Sequence, residues 1–425
     1  MAKNQIITAV DVGTTKITTL IASMTEDADK VNIIGVSNIP AKGLRKSQVV
    51  DIDETIESIT QSVEAAERMA GYSISSALAS ISGAHIESSN SKGVVAVSEP
   101  EGEIVDNDVA RVIEAARAVS LPTSREILHV IPCDFKVDSQ EGVKDPVGMS
   151  GVRLEAEAHI ITGLTIVMRN ITKCISEIGV EVDSLVFSGL ASSEAVLTAT
   201  EKELGVVLVD MGGGSTSLAV FVEGALTYSA VLPVGAKNIT NDLAIGLRVS
   251  LETAEKIKVG LSKLKDHSEN DEEDNDVLDG KKLGISEDVG KLSKKTLIEG
   301  IIRPRLNEIF IMVGEELKKS GYGGATPAGV VVTGGGALTV GVETSAKRSL
   351  SLPVRIGYPK GLTGLVDEIK SPAFATSWGL IAYGLKNTSS LKQESSFKSM
   401  GKLVSRIPAR AVFEKGVKLI KSFLP

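Results

Sequence analysis

Apolar runs separated by glycine-rich turns set the pattern of the first half of the chain. Ile6–Val10 and Ile17–Ile21 read as two buried strands of a hairpin, joined by Asp11-Val12-Gly13-Thr14-Thr15-Lys16. Val31–Val36 continues the meander, and Ala77–Ser82 is a further strand. Between them, Ile56, Ile59, Val63, Ala66 and Met69 recur at helical spacing within Asp53–Ala70. The stretch from about Gly83 to Gly163 behaves as a unit, with strand-like Gly93–Val97, a helix from Asp106 to Val119 and strand-like Ile127–Val137. A helix at Leu164–Glu177 and a strand at Glu181–Phe187 follow.

The same signature then returns. Gly205–Val222 is a second apolar hairpin, interrupted by Asp210-Met211-Gly212-Gly213-Gly214-Ser215-Thr216. An apolar strand, an Asp-x-Gly turn with hydroxyls and another apolar strand form a weak internal repeat, which predicts two related halves. Helices are predicted at Ala236–Gly246 and Leu251–Leu264, and Asp266–Asp279 is acidic enough to be a solvated loop. A long helix at Ser293–Ser320 leads to the strand Gly329–Thr333 and the run Gly334-Gly335-Gly336. Pro372–Leu385 is the last helix of the folded body, 388–405 a Ser- and Lys-rich linker, and 406–424 helical again. A polar N-terminus gives no sign of a signal peptide, and no run of about 18 apolar residues spans a bilayer.

The turns carry the candidate chemistry. Small residues let backbone N–H groups approach phosphate oxygens closely. Gly13 opens the first turn, Thr14 and Thr15 add hydroxyls, and Lys16 adds charge. The second turn offers Asp210, Gly212, Gly213, Gly214, Ser215 and Thr216. Asp11 and Asp210 then hold a magnesium ion through water, because hard cations prefer carboxylate oxygens. Either turn alone is an ordinary hairpin; facing each other, they would clamp a triphosphate. Composition narrows the field further. With 3% aromatics and a net charge of −8, nucleic acid is not an expected partner. Cys133 and Cys174 lack metal-ligand spacing and read as reduced core thiols of a cytosolic protein.

Taken in order, Asp11–Lys16, Asp210–Thr216 and Val330–Gly336 resemble the two phosphate motifs and the adenosine motif of the actin superfamily. More narrowly, the chain resembles the FtsA family, actin-like proteins that tether FtsZ filaments to the membrane in bacterial division. That likeness runs from Ile6 to Leu385 and is densest at Arg111–Val119, Glu126–Pro132, Glu141–Glu155 and Glu203–Asp242. It implies an α/β fold of duplicated RNase-H-type lobes around a nucleotide cleft, with an inserted α+β subdomain in the first lobe. The expected divisions are 1–82 and 164–190 for the first lobe, 83–163 for the insertion and 191–370 for the second lobe. A closing helix at 371–387, a linker at 388–405 and a membrane-targeting helix at 406–425 complete the chain.

The resemblance further implies ATP and Mg2+ as ligands, head-to-tail self-association, and recruitment of downstream divisome proteins. It sets Glu255 and Lys258 on the adenosine side and Asn241 and Asp242 near the ribose; Glu255 and Lys258, three apart, equally make an ordinary surface pair. Two departures bear on hydrolysis. Ser217 stands where many superfamily members have a second Asp, and Ser188-Gly189 where chaperone-like members have Glu-Pro. Attack by water needs a base or polariser within hydrogen-bond reach. ATP is therefore expected to bind well and turn over weakly or not at all.

The tail is legible without a family. At about 100° per residue, Val412, Phe413, Gly416, Val417, Leu419, Ile420, Phe423 and Leu424 share one helical face. Arg410, Glu414, Lys415, Lys418, Lys421 and Ser422 share the other. Residues 388–425 hold eight Lys or Arg and two Asp or Glu, a net +6 in a chain of −8, which leaves −14 elsewhere. That is the pattern of a helix lying on anionic lipid at the cytoplasmic face of the inner membrane; the alternative is a helix packed on the body or on a partner. Lys294, Lys295, Arg303 and Arg305, near the start of the long helix, are where the resemblance implies docking of the FtsZ C-terminal tail, although basic residues on an exposed helix are equally just solvated. A pilus-assembly actin-like adaptor and a small-molecule kinase of the same fold are the alternatives. The scattered His85, His129, His159 and His267 are assigned no chemistry.

Overall fold

The strand order carries the duplication. In the computed structural model a six-stranded sheet runs, in order, Glu181–Phe187, Ser76–Ile81, Gln5–Val12, Lys16–Met24, Val31–Pro40 and Thr363–Gly364. A five-stranded sheet runs Val354–Ile356, Val330–Thr333, Val206–Met211, Thr216–Val222 and Ala225–Leu232. Each has an antiparallel three-strand meander whose first strand also pairs in parallel with a later one. A further parallel strand then extends each sheet. The structure describes residues 5–386 except 25–30, 100–101, 265–275, 279, 282, 286, 288–291, 366 and 368. The 388–405 linker, the 406–425 helix, His267 and most of the Asp266–Asp279 stretch lie outside the described residues.

Local sequence explains the elements. Val206–Met211 is buried on both faces, which is why it reads as a continuous apolar run rather than an alternating one. The helix Ile52–Ala70 starts at Asp51, whose side chain accepts from the Glu54 amide, and stops at Gly71 in the left-handed region. It buries Ile59, Val63 and Ala66 against the first sheet. Gly35 permits that approach, since a Cβ there would lie 2.7 Å from the Ala66 carbonyl oxygen.

Residues 87–164 build a separate four-stranded antiparallel sheet, ordered Glu87–Ala96, Arg153–Leu164, Arg125–Val137, Gln140–Val143, with the helix Asp106–Arg117 against it. It has its own core of Ile104, Val112, Phe135, Val137, Val143, Leu154 and Ala156. The chain crossings into this unit are stapled by two side chains. Arg125 donates to the carbonyls of His85 and Thr162, and the His85 ring meets the Ser82 carbonyl and the Leu164 amide. His129 and His159 are also buried, and burial lowers both rings to about 4.

The long helix predicted over Ser293–Ser320 is interrupted. Lys294–Leu297 is α-helical, Ile298–Ile302 is a π-turn, and Arg303–Ser320 resumes the α-helix. Pro304 supplies the cause: it has no N–H to donate and its ring crowds the carbonyl four residues back, so the upstream turn widens. Gly335–Leu338 forms a short 3-10 turn after the strand, and a helix begins at residue 375. The chain divides into two units, 1–381 and 382–425, and the sheets belong to the first.

Candidate nucleotide site

Both hairpin turns close alike. The Gly13 amide donates to the Lys16 carbonyl at 3.0 Å, and the Gly212 amide donates to the Ser215 carbonyl at 2.9 Å. The carbonyls of Gly212 and Gly213 cap the helix Ala236–Leu247, accepting from the Ala236 and Lys237 amides. Across the cleft the two turns nearly touch. A Cβ on Gly213 would sit 2.3 Å from Thr15 Cγ2, and one on Gly214 would sit 2.6 Å from Thr14 Oγ1. Among the described residues, nothing accepts from the amides of Thr14, Thr15, Gly213 or Gly214.

Asp11 and Asp210 line one cavity of ≈90 Å³, together with Gly13 to Lys16, Gly212, Gly213, Ser215, Gly334 and Gly335. The two acids do not point into separate pockets. Ser80 donates to Asp11 at 2.7 Å, while Ser192 and Thr376 donate to Asp210 at 2.6 and 3.0 Å. Burial pushes the Asp11 carboxyl up against the pull of Ser80 and Lys16. Burial also pushes Asp210 up to about 6, opposed by Ser192 and reinforced by the Asp11 charge. Lys16 is lowered by burial to about 8 in spite of both acids. Its ammonium lies 3.3 Å from the centroid of the Phe374 ring and is buried without a hydrogen bond.

That constellation fits a magnesium–phosphate group. A buried ammonium with no acceptor is costly, and phosphate oxygens would complete it. Two crowded carboxylates favour a divalent cation between or beside them. They are too few to fill an octahedral shell, so phosphate oxygens and water would supply the rest. Among the described residues there is no cluster of three or more His, Cys, Asp or Glu able to hold a metal by itself.

The small cavity adjoins a second of ≈640 Å³, and Thr15, Gly213 and Gly335 line both. Glu255, Lys258 and Gly336 line the larger one. Lys258 is buried and donates to Glu255 at 2.7 Å and to Thr240 at 2.8 Å, while the Glu255 side chain stays half exposed at the cavity wall. Leu251, Val259 and Leu338 present apolar side chains to the same space and are 52%, 40% and 44% exposed, an apolar wall.

Some expected residues lie elsewhere. Thr216 is buried under the turn, donating to the Val234 carbonyl, and Gly214 faces Thr14. On the helix Ala236–Leu247, Lys237 and Thr240 line the larger cavity, whereas Asn241 is exposed and Asp242 makes a forked pair with Arg305 at 2.6 and 2.9 Å. At about 100° per residue, Asn241 and Asp242 are rotated off the cavity face that Thr240 occupies. Arg305 also binds Glu308, and Arg303 pairs with Glu299.

Ser47, Ser80, Ser82 and Thr376 are hydroxyls that motif reading missed, and Ser188 and Ser217 were marked only as departures from the hydrolytic motifs. Ser47, Ser80, Ser82, Ser188, Ser217 and Thr376 all line the small cavity. Ser188 and Ser217 are 3.0 Å apart, and Ser217 is 3.0 Å from Ser82. One signal was available for Ser80 and Ser82: ligands of open α/β sheets gather at the carboxyl ends of parallel strands, and Ser76–Ile81 is such a strand.

Comparison with known proteins agrees with this geometry. The SHS2 domain inserted in FtsA matches residues 83–162, and the cell division protein FtsA family matches residues 207–379. The cell division protein FtsA of Pseudomonas aeruginosa is 40% identical over 389 residues, covering 91% of this chain and 90% of that protein. FtsA of Bacillus subtilis is 38% identical over 411 residues, covering 96% and 90%. Among solved structures, the PilM-PilN type IV pilus biogenesis complex superposes with a TM-score of 0.61 at 15% identity, covering 89% of this chain and 98% of that one. MreB 5 of Spiroplasma citri bound to AMPPNP gives 0.55 at 13%, covering 92% and 99%. At such identities these two likenesses speak for the actin-like fold alone. The sequence relationship, sustained over nine-tenths of its length, says more: the chain belongs to the FtsA family of bacterial cell-division proteins.

Proposed function

We infer that the chain is an ATP- and Mg2+-binding adaptor that self-associates head to tail, holds FtsZ filaments at the cytoplasmic face of the inner membrane at the division site, and recruits later septal proteins. One observation carries the nucleotide half of this reading: both acidic turns and the Gly334–Gly336 run border two adjoining cavities. Lys16 and the turn hydroxyls would hold the phosphates, and Asp11 and Asp210 would hold Mg2+ through water. Mg2+, when bound, supplies neutralisation of phosphate charge. Glu255, Lys258 and the apolar wall of Leu251, Val259 and Leu338 would take the adenosine.

Turnover should be slow. Beyond Asp11, Asp210 and the Lys16 ammonium, the polar side chains lining the small cavity are hydroxyls, with Ser188 and Ser217 hydrogen-bonded to each other. A serine hydroxyl is a poor base at neutral pH, so an attacking water has little to activate it.

The membrane half rests on sequence. Among the described residues no helix is long and apolar enough to cross a membrane. The cationic, amphipathic 406–425 segment would lie in the lipid interface, each cation contributing about 1 kcal/mol on an anionic surface. A single such helix binds reversibly, and a filament displaying many gains avidity. The FtsZ tail, an acidic peptide, would meet Lys294, Lys295, Arg303 and Arg305, displacing the intramolecular acids that now engage the arginines.

Co-sedimentation of the full chain with anionic vesicles, with and without MgATP and FtsZ, tests the whole reading. MgATP should increase pelleting and FtsZ should follow the chain down. Phe413→Glu should leave the protein folded in solution but free of vesicles. Undiminished vesicle binding by that variant would remove the tail from the mechanism, and steady hydrolysis of several ATP per second would contradict the structural role given to the nucleotide.

A further inference from the structure

The connection between the strand Val31–Pro40 and the helix Ile52–Ala70 reaches into the cleft. Leu44–Arg45 and Gln48–Val49 pair as a miniature hairpin whose tip is Lys46-Ser47. Both tip residues are non-glycine with φ of 48° and 60°, a conformation that L side chains seldom adopt, least of all twice in succession. Such backbone persists where surrounding contacts hold it. Its base is fixed: the Val50 and Asp51 amides donate to the Gly43 carbonyl, and Asp51 caps the following helix.

Lys46 is exposed, whereas Ser47 is buried and touches both phosphate-type turns. The Ser47 amide donates to Thr14 Oγ1 at 2.8 Å, and Ser47 Oγ lies 2.8 Å from Ser215 Oγ. The first contact is within the first lobe and the second crosses to the other lobe. Position along the cleft says what this hydroxyl would meet. Thr15, Gly213 and Gly335 line both cavities, so phosphates leading away from the nucleoside would pass them first. Ser47 lines the small cavity and not the large one that Glu255, Lys258 and the apolar wall border. The orphaned Lys16 ammonium faces the same small cavity.

We propose that the Lys46-Ser47 turn is a third phosphate-facing element, in which Ser47 reads the terminal phosphate of the nucleotide and thereby separates ATP from ADP. Ser47 Oγ lies within hydrogen-bond reach of hydroxyls of both turns, Thr14 Oγ1 at 3.3 Å and Ser215 Oγ at 2.8 Å. In the ATP complex the Ser47 hydroxyl donates to an oxygen of the terminal phosphate beside Thr14 and Ser215, a contact that ADP cannot make. This role deepens the nucleotide reading given above and rests on it.

The test measures affinity of the full chain for MgATP and MgADP by calorimetry, in the parent and in Ser47→Gly and Ser47→Ala. Glycine deletes the hydroxyl while relieving the positive φ, so its loss of function cannot come from a strained turn. The expected result is a fall in the ATP-over-ADP preference of about tenfold, the size of one hydrogen bond to a charged group, with MgADP affinity unchanged. The thermal midpoint without nucleotide should not fall in Ser47→Gly. A preference within twofold of the parent, or equal weakening of both nucleotides, would overturn the sensor. Failure of the parent to bind either nucleotide would overturn the underlying nucleotide reading, and the sensor with it.

Discussion

The two lobes make the same turn in the same place and fill its tip with side chains of opposite size. Gly13 and Gly212 close their turns on the carbonyls of Lys16 and Ser215, and each turn follows the first strand of its meander. Yet the first turn continues with Thr14, Thr15 and Lys16, while the second continues with Gly213 and Gly214. The close approach explains the division. Any side chain on Gly213 or Gly214 would collide with Thr15 or Thr14 in the opposite lobe. At the point of contact the first lobe supplies the bulk of Thr14 and Thr15 because the second supplies bare backbone there, and Asp210 and Ser215 on either side give the second lobe its own charge and hydroxyl. A duplicated scaffold fixes where the turns meet; divergence then decides which contributes bulk.

The strongest way to break this complementarity is to put a methyl on each side in turn. Gly214→Ala should push Thr14 away and hold the lobes apart, weakening MgATP binding by about a hundredfold, the upper end of the 1–3 kcal/mol usual for overpacking. Its stability without nucleotide should be nearly unchanged. Gly13→Ala instead strikes its own turn, 2.8 Å from the Lys16 carbonyl oxygen, and should lower the thermal midpoint of the nucleotide-free chain. Calorimetric titration paired with thermal melts separates the two; equal behaviour would sink the division of labour.

Titration should show the same opposition. Asp210 is raised from 3.8 to about 6, so between those values the folded chain holds a proton the unfolded chain has released. Stability therefore falls as pH rises through that window, by on the order of 3 kcal/mol from this group. Asp11, raised in the same direction, adds to the slope. Lys16 is lowered from 10.5 to about 8, so there the unfolded chain binds the extra proton and stability rises with pH from about 8 upward. Melting curves of the nucleotide-free protein against pH should show both slopes, and Asp210→Asn should reduce the acid one. An acid slope untouched by that change would exclude Asp210 as its source.

A smaller contrast lies in how the acids are held. Asp11 has Ser80 as its hydroxyl donor, whereas Asp210 has Ser192 and Thr376. Ser80→Ala should weaken Mg2+-dependent nucleotide binding about tenfold, since a hydrogen bond to a charged group contributes about 1.5–3 kcal/mol. Ser192→Ala should cost only a few-fold, because Thr376 still donates. Binding measured against Mg2+ concentration would reveal the difference, and a larger loss in Ser192→Ala would reverse the ranking.

Legibility in the sequence followed the strength of local signals. The helix Ile52–Ala70, the strand Glu181–Phe187 and both glycine turns were readable because burial period, caps and turn residues agreed. The central strand of the inserted sheet, Arg153–Leu164, was not, since its Glu-Ala-Glu-Ala start has weak strand preference and is held by neighbours on both sides. The break in the long helix hinged on one proline whose effect falls upstream of it. Ser47 and Ser192 carried no local signal, because serine is equally at home on any wet surface, whereas Ser188 and Ser217 stood out only as departures from a motif and Ser80 and Ser82 only through their place at a strand end.

The sequence by itself determined the paired turns, their acids and glycines, and the cationic amphipathic tail, because each is written in residues adjacent along the chain. Tertiary structure alone decided that Asp11 and Asp210 share a cavity, that Glu255 and Lys258 line the next one while Asp242 turns away to Arg305, and that Ser47, Ser80, Ser82, Ser188 and Ser217 gather around the first. The physical reason is distance along the chain. Residues tens to hundreds of positions apart are brought together by sheet order and lobe closure, and neither leaves a trace in the local pattern of polar and apolar positions.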